Sequence, residues 1–85
     1  MPTDTMTNEI RLLRFLTQDM TQAELGQRVG LTRQTIAAIE QGRYSPSLEV
    51  AFRIAHVFGK KVDEVFHWTV PNTEATSVAK ASLGA

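Results

Sequence analysis

TQAELGQRVGLTRQTIAAIEQG, residues Thr21 to Gly42, is the stretch whose reading decides the fold. Thr21 is a side-chain acceptor ahead of a helical run, and Glu24 three residues on completes a capping box. Leu25 and Val29, four apart, share one face of the helix that follows. Gly30 supplies the left-handed residue that ends a helix at low cost. Thr32 caps a second helix whose buried pair is Ile36 and Ile39, and Gly42 ends it. The opposite face of that helix carries Arg33, Gln34, Thr35 and Ala38. Two helices joined by a short glycine-containing turn form the arrangement that sets a recognition helix in the major groove of DNA.

The side chains on that polar face suit base edges. The Arg33 guanidinium presents two parallel donors that match guanine O6 and N7, and the Gln34 amide can pair bidentately with adenine. Thr32 stands at the same helix start, where base contacts concentrate. Thr35 has two readings, its methyl against thymine or its hydroxyl on a phosphate, and Ala38 is small enough to approach a thymine methyl. Gln22 lies at the amino end of the first helix, where its amide and the free backbone N–H groups can clamp a phosphate together. Arg43, Tyr44 and Ser47 follow the recognition helix and are positioned to hold the other side of the phosphate backbone.

Working outward, Met1 to Thr7 reads as a flexible arm, so residues 1–8 precede the domain proper. Asn8 caps a first helix reaching about Thr17, with Ile10, Leu13 and either Leu12 or Leu16 facing inward. After the 21–41 pair, Arg43-Tyr44-Ser45-Pro46 is a loop and Ser45 or Ser47 caps a fourth helix to Phe58. Leu48, Ala51, Phe52, Ala55 and Phe58 follow its apolar spacing, and Gly59 stops it. Asp63 is expected to cap a short fifth helix with Val65 and Phe66 as its apolar face. The domain is therefore read as residues 9–68, and 69–85 as a mobile Ala/Ser/Thr-rich tail in which Thr73 to Leu83 has marginal helical character. The sum is an all-α chain of five helices with no strand.

Composition narrows the function. Eighty-five residues make one small domain that gains from dimerisation. There is no cysteine, which excludes disulfides and thiolate metal sites. Met1 to Asn8 is polar and lacks a signal-peptide core, and no apolar run approaches the ~20 residues that span a bilayer, so a cytoplasmic protein without membrane contact is expected. An enzyme is not expected. His56 and His67 are eleven apart with no third ligand at metal spacing, and there is no glycine-rich phosphate loop, so neither a metal nor a cofactor is implied. Nine basic residues cancel nine acidic ones, which argues against strong sequence-independent binding to nucleic acid. Distribution matters more: between Gln27 and Arg43 lie Arg28, Arg33 and Arg43 against Glu40 alone.

The residues Thr21-Gln22, Glu24-Leu25, Gly30, Thr32 to Ile36, Ile39-Glu40, Gly42 and Pro46-Ser47-Leu48 together resemble the Cro/C1-type, or Xre-type, helix-turn-helix family over roughly Glu9 to Trp68. The resemblance implies a five-helix, lambda-repressor-like fold and a sequence-specific DNA-binding transcriptional regulator. It also implies a phosphate-clamping role for Gln22 and an ion pair between Glu40 and an arginine of the first helix, here Arg14. Two departures stand out. The segment from Arg14 to Thr21 is one residue longer than the family spacing, and Gly26 replaces the usual alanine, which suggests close backbone approach where two helices cross.

One recognition helix covers too few base pairs to define a site, so double-stranded DNA should be bound by a homodimer on a palindrome, with recognition helices ~34–36 Å apart. Val62, Phe66 and Trp68 form the expected dimer interface, although Phe66 is also needed for the monomer core and Trp68 has an alternative as a lid. Repression is the expected sense, and activation has the same sequence requirements. The alternatives are an antitoxin that grips a protein partner through the C-terminal tail, and an interaction module that does not bind DNA.

Overall fold

The computed structural model describes residues 5–69. Its elements run β1 (Thr5–Asn8), α1 (Ile10–Leu16), α2 (Gln22–Val29), α3 (Arg33–Glu40), α4 (Leu48–Val57), α5 (Val62–Val65) and β2 (Phe66–Thr69). The fold is the five-helix, lambda-repressor-like bundle, with a short strand pair added to it.

The central signals form as the sequence dictates. The Glu24 N–H donates to Thr21 Oγ1 at 3.0 Å, and the Glu24 carboxylate accepts from the Thr21 N–H at 2.8 Å. That backbone donor holds the Glu24 carboxyl below its ordinary pKa. The cap thus helps above the ordinary carboxylate range and loses its effect as pH falls through the lowered folded value. Gly30 ends α2 at φ 80°, and Thr32 caps α3 by accepting from the Thr35 N–H at 3.1 Å. Ser47 rather than Ser45 caps α4. Ile10, Leu25, Ile36 and Ile54 are fully excluded from solvent, so α1 to α4 meet in one core.

Gly26 is where α2 comes closest to the turn before α3. A Cβ built there would lie 2.4 Å from the Leu31 carbonyl oxygen, a backbone atom that cannot swing aside. The Leu31 N–H also donates to the Gly26 carbonyl at 2.8 Å, which fixes the approach. Alanine favours a helix by about 0.8–1.0 kcal/mol over glycine, but overpacking costs about 1–3 kcal/mol. Gly26→Ala is therefore expected to lower the denaturation midpoint, as urea unfolding followed by circular dichroism would read. A raised midpoint would show that the helix crossing yields.

Several expectations need correction. Residues 5–8 are a strand, not an arm: β1 pairs antiparallel with β2, with Met6 opposite Trp68 and Asn8 opposite Phe66. Two four-residue segments sixty residues apart carry no local signal strong enough to announce this pairing. Neither Leu12 nor Leu16 faces inward, at 52% and 66% exposed, because α1 has under two full turns and packs only through Ile10 and half-buried Leu13. In α4, Leu48 and Phe52 are exposed and the packed stripe is Ala51, Ile54 and Ala55. Its small residues let the helix approach α2 closely. Asp63 does not cap α5. Lys61 holds that position, and its N–H donates to the Glu64 carboxylate at 2.8 Å. Phe66 is 9% exposed and belongs to the core, which removes it from a dimer interface. The tail readings beyond Thr69, including the helix at 73–83 and the grip on a protein partner, lie outside the described residues.

Candidate nucleic-acid interface

Where α1 and the amino end of α2 meet the carboxyl end of α3, the structure is built around one carboxylate. Glu40, at the end of α3, accepts from Arg14 Nε at 2.6 Å on one oxygen and from Arg14 Nη2 at 3.1 Å on the other. The Gln22 amide donates to that second oxygen at 3.2 Å. Arg14 also donates to the Met20 carbonyl at 2.8 Å. The four groups tie α1, the connector and both helices of the pair together, so the expected Arg14–Glu40 partnership is observed. The extra connector residue does not displace it, because Gln18 and Asp19 both turn left-handed, at φ 54°, and absorb the added length. Met20 then returns to the core at 4% exposed.

This network does something the sequence did not announce for Gln22. One amide hydrogen is committed to Glu40, which aims the side chain across the amino end of α2 and leaves the other hydrogen for a ligand. Gln22 lines a shallow depression with Arg14, Thr21 and Arg33, so a clamp at one helix start and a guanidinium at the next share one concave surface.

Along α3 the candidates divide by what already holds them. Arg33 and Gln34 are exposed, and among the described residues neither side chain has a hydrogen-bond partner. Thr32 and Thr35 are engaged with each other, hydroxyl to hydroxyl at 3.0 Å, in addition to the cap. That leaves Thr32 mainly a capping residue and turns the Thr35 hydroxyl away from solvent partners. Ala38 is half-buried on the same helix. In the loop that follows, Arg43 is exposed with its Nε on the Gln41 side-chain oxygen at 2.8 Å, and Tyr44 is 55% exposed. Ser47 is exposed, but its hydroxyl accepts from the Val50 N–H at 3.2 Å.

Asn8 is a positioning residue that sequence reasoning saw only as a cap. The N-cap of α1 is Glu9, not Asn8; from one residue outside it Asn8 Oδ1 accepts from the Ile10 N–H at 3.1 Å, while its Nδ2 donates to the Ile39 carbonyl at 3.0 Å, thirty-one residues away. The side chain thereby latches the strand pair to the far end of α3. An asparagine between two elements was the available signal, and its second partner was not readable without the fold.

No three His, Cys, Asp or Glu residues gather where they could hold a metal ion, among the described residues. His67 instead lies 3.2 Å from the Glu9 carboxylate, half exposed. Among the same residues no helix is long and apolar enough to cross a membrane.

Comparison with known proteins agrees with this geometry. A family model described as helix-turn-helix matches residues 10–65. A relative from Methanocaldococcus jannaschii, named as an uncharacterized HTH-type transcriptional regulator, is 46% identical over 61 residues, covering 72% of this chain and 91% of that protein. YgzD of Bacillus subtilis, named in the same terms, is also 46% identical over 61 residues with the same coverage, 72% and 91%. A crystal structure from Bacteroides fragilis superposes with a TM-score of 0.64 at 19% identity, covering 74% of this chain and 100% of that one, which shows the fold.

Proposed function

The chain belongs to the Cro/C1-type (Xre-type) helix-turn-helix family, and from that membership we propose that it binds a specific DNA sequence through α3 and regulates transcription, with repression as the favoured sense. The observation that carries this reading is the pairing of exposed, unengaged Arg33 and Gln34 at the start of α3 with Gln22 held at the start of α2 by Glu40. Arg33 and Gln34 read base edges, Thr35 and Ala38 lie alongside, and Gln22, Arg43, Tyr44 and Ser47 hold the phosphates. The two engaged threonine hydroxyls favour the methyl of Thr35 as its contact.

Selection of bound duplexes from a random pool tests the reading, with an enriched inverted repeat as the expected result. Failure to enrich any sequence, with no salt-dependent affinity for duplex, would remove it in favour of an interaction module. On the selected site, Arg33→Ala and Gln34→Ala should each cost about 1–3 kcal/mol and relax preference at one base pair per half-site. Arg43→Ala should weaken all sequences alike and lower the salt slope by about one. Equal loss on every sequence for Arg33→Ala would reassign it to phosphate.

The homodimer is part of the proposal, with a changed surface. Phe66 is buried, while Trp68, 63% exposed, is no lid over the core and remains in the interface with Val62, which gains exposed Phe52 as its neighbour. Lys60, Lys61 and Asp63 rim the same face. Phe52→Asp lies outside the core and should give a folded monomer in sedimentation, with weakened binding to the inverted repeat. An unchanged dimer would move the interface elsewhere.

A further inference from the structure

A hollow of about 280 Å³ opens between the loop that leaves α3 and the β1–β2 ribbon. Buried Ile39 and Phe66, the loop residues Tyr44 and Pro46, and the cross-strand pair Met6 and Trp68 all line it. Its volume is just under the ~300–1,000 Å³ usual for small-molecule sites, and its lining mixes apolar side chains with a larger share of polar surface. Three features point to its occupant. Two large aromatic side chains flank it and are left 55% and 63% exposed, Tyr44 and Trp68. Among the described residues no charged side chain lines it. Asn8 and Ser45 add uncharged polar side chains to the lining.

We propose that this hollow binds an uncharged planar aromatic or heteroaromatic molecule of one or two rings, held against Tyr44 and Trp68. Offset or edge-to-face contact with aromatic side chains is favourable beyond the area it buries, and the uncharged lining selects against ions, whose desolvation it would not repay. The inference goes beyond DNA recognition. One consequence does rest on the DNA-binding reading: Tyr44 belongs to the loop assigned to phosphate, so an occupant that holds it would alter operator affinity.

Indole is the probe, titrated into isotope-labelled full-length protein and followed by amide NMR without DNA, which keeps this test separate from that reading. Saturable shifts confined to residues 6–8, 42–45 and 66–68 are expected, with the side-chain N–H of Trp68, the chain's only tryptophan, among them. Tyr44→Ala and Trp68→Ala change exposed side chains, should leave the amide spectrum folded, and should each weaken indole by about tenfold, as loss of one stacking partner does. Benzoate and benzylammonium should bind more weakly than indole. The proposal is overturned if indole gives no saturable shift, if the shifts centre on Leu12–Phe15 or Phe52–Val62, or if the ions bind as well. It is also overturned if the same amides move on dilution of the protein alone, which would assign the hollow to a second copy.

Discussion

Ile36→Asp is expected to unfold the protein outright, leaving a disordered circular dichroism spectrum at room temperature. Ile36 is on α3, the helix assigned to DNA, but its side chain is fully excluded from solvent. It sits in the core with Leu25, Val29 and Ile54. A polar group placed there without a partner costs about 2–7 kcal/mol, and an ionised carboxylate more. A small domain has a total stability near the lower end of about 5–15 kcal/mol, so one such change exceeds the margin. Leu25→Asp, equally buried on α2, should behave in the same way. Arg33→Ala, on the exposed face one turn away, is the control and should keep a native spectrum. A folded Ile36→Asp protein that had lost only DNA binding would mean that this face of α3 is not the inward one.

Glu40→Ala should be the most damaging change among the polar residues. The Arg14 and Glu40 side chains keep only 15% and 7% of their exposure, so the pair lies largely out of water. Removing one partner of a buried pair costs about 3–5 kcal/mol, because the other charge is left without compensation. The lower end applies here, since Arg14 retains some solvent and still donates to the Met20 carbonyl. One kcal/mol moves the melting temperature of a domain this size by about 4–8 °C, so a fall of at least about 12 °C is expected. A fall below about 4 °C would class the contact with ordinary surface bridges. The variant should also release the Gln22 amide, so a sequence-independent loss of DNA affinity would accompany the loss of stability. Glu40→Gln keeps one acceptor and the shape, and should fall between the wild type and alanine.

These two residues illustrate how legible the molecule was. The inward direction of Ile36 follows from its spacing to Ile39 and from Thr32 and Gly30 before it, all within one local stretch. The Glu40 partner was named only through family resemblance. Whether Arg14 could reach it past a longer connector depended on the left-handed turn at Gln18 and Asp19, and neither residue type announces that conformation strongly. The same contrast separates Thr32, whose cap is a three-residue contact, from Asn8, whose second hydrogen bond spans most of the helix-turn-helix.

By itself the sequence determined the helix-turn-helix: its caps, its glycine stops, the buried and polar faces of α2 and α3, and the need for a residue without a side chain at Gly26. Those features are set by hydrogen bonds and contacts between residues three to five apart, where the chain has few alternatives. Only the tertiary structure decided that residues 5–8 pair with 66–69 and that Leu12, Leu16, Leu48 and Phe52 stay exposed. Helical periodicity says which residues share a face and not how wide a face its neighbours can cover. Here α1 and α4 each present more apolar surface than one small core can take up, and which part stayed outside was settled by packing between distant elements.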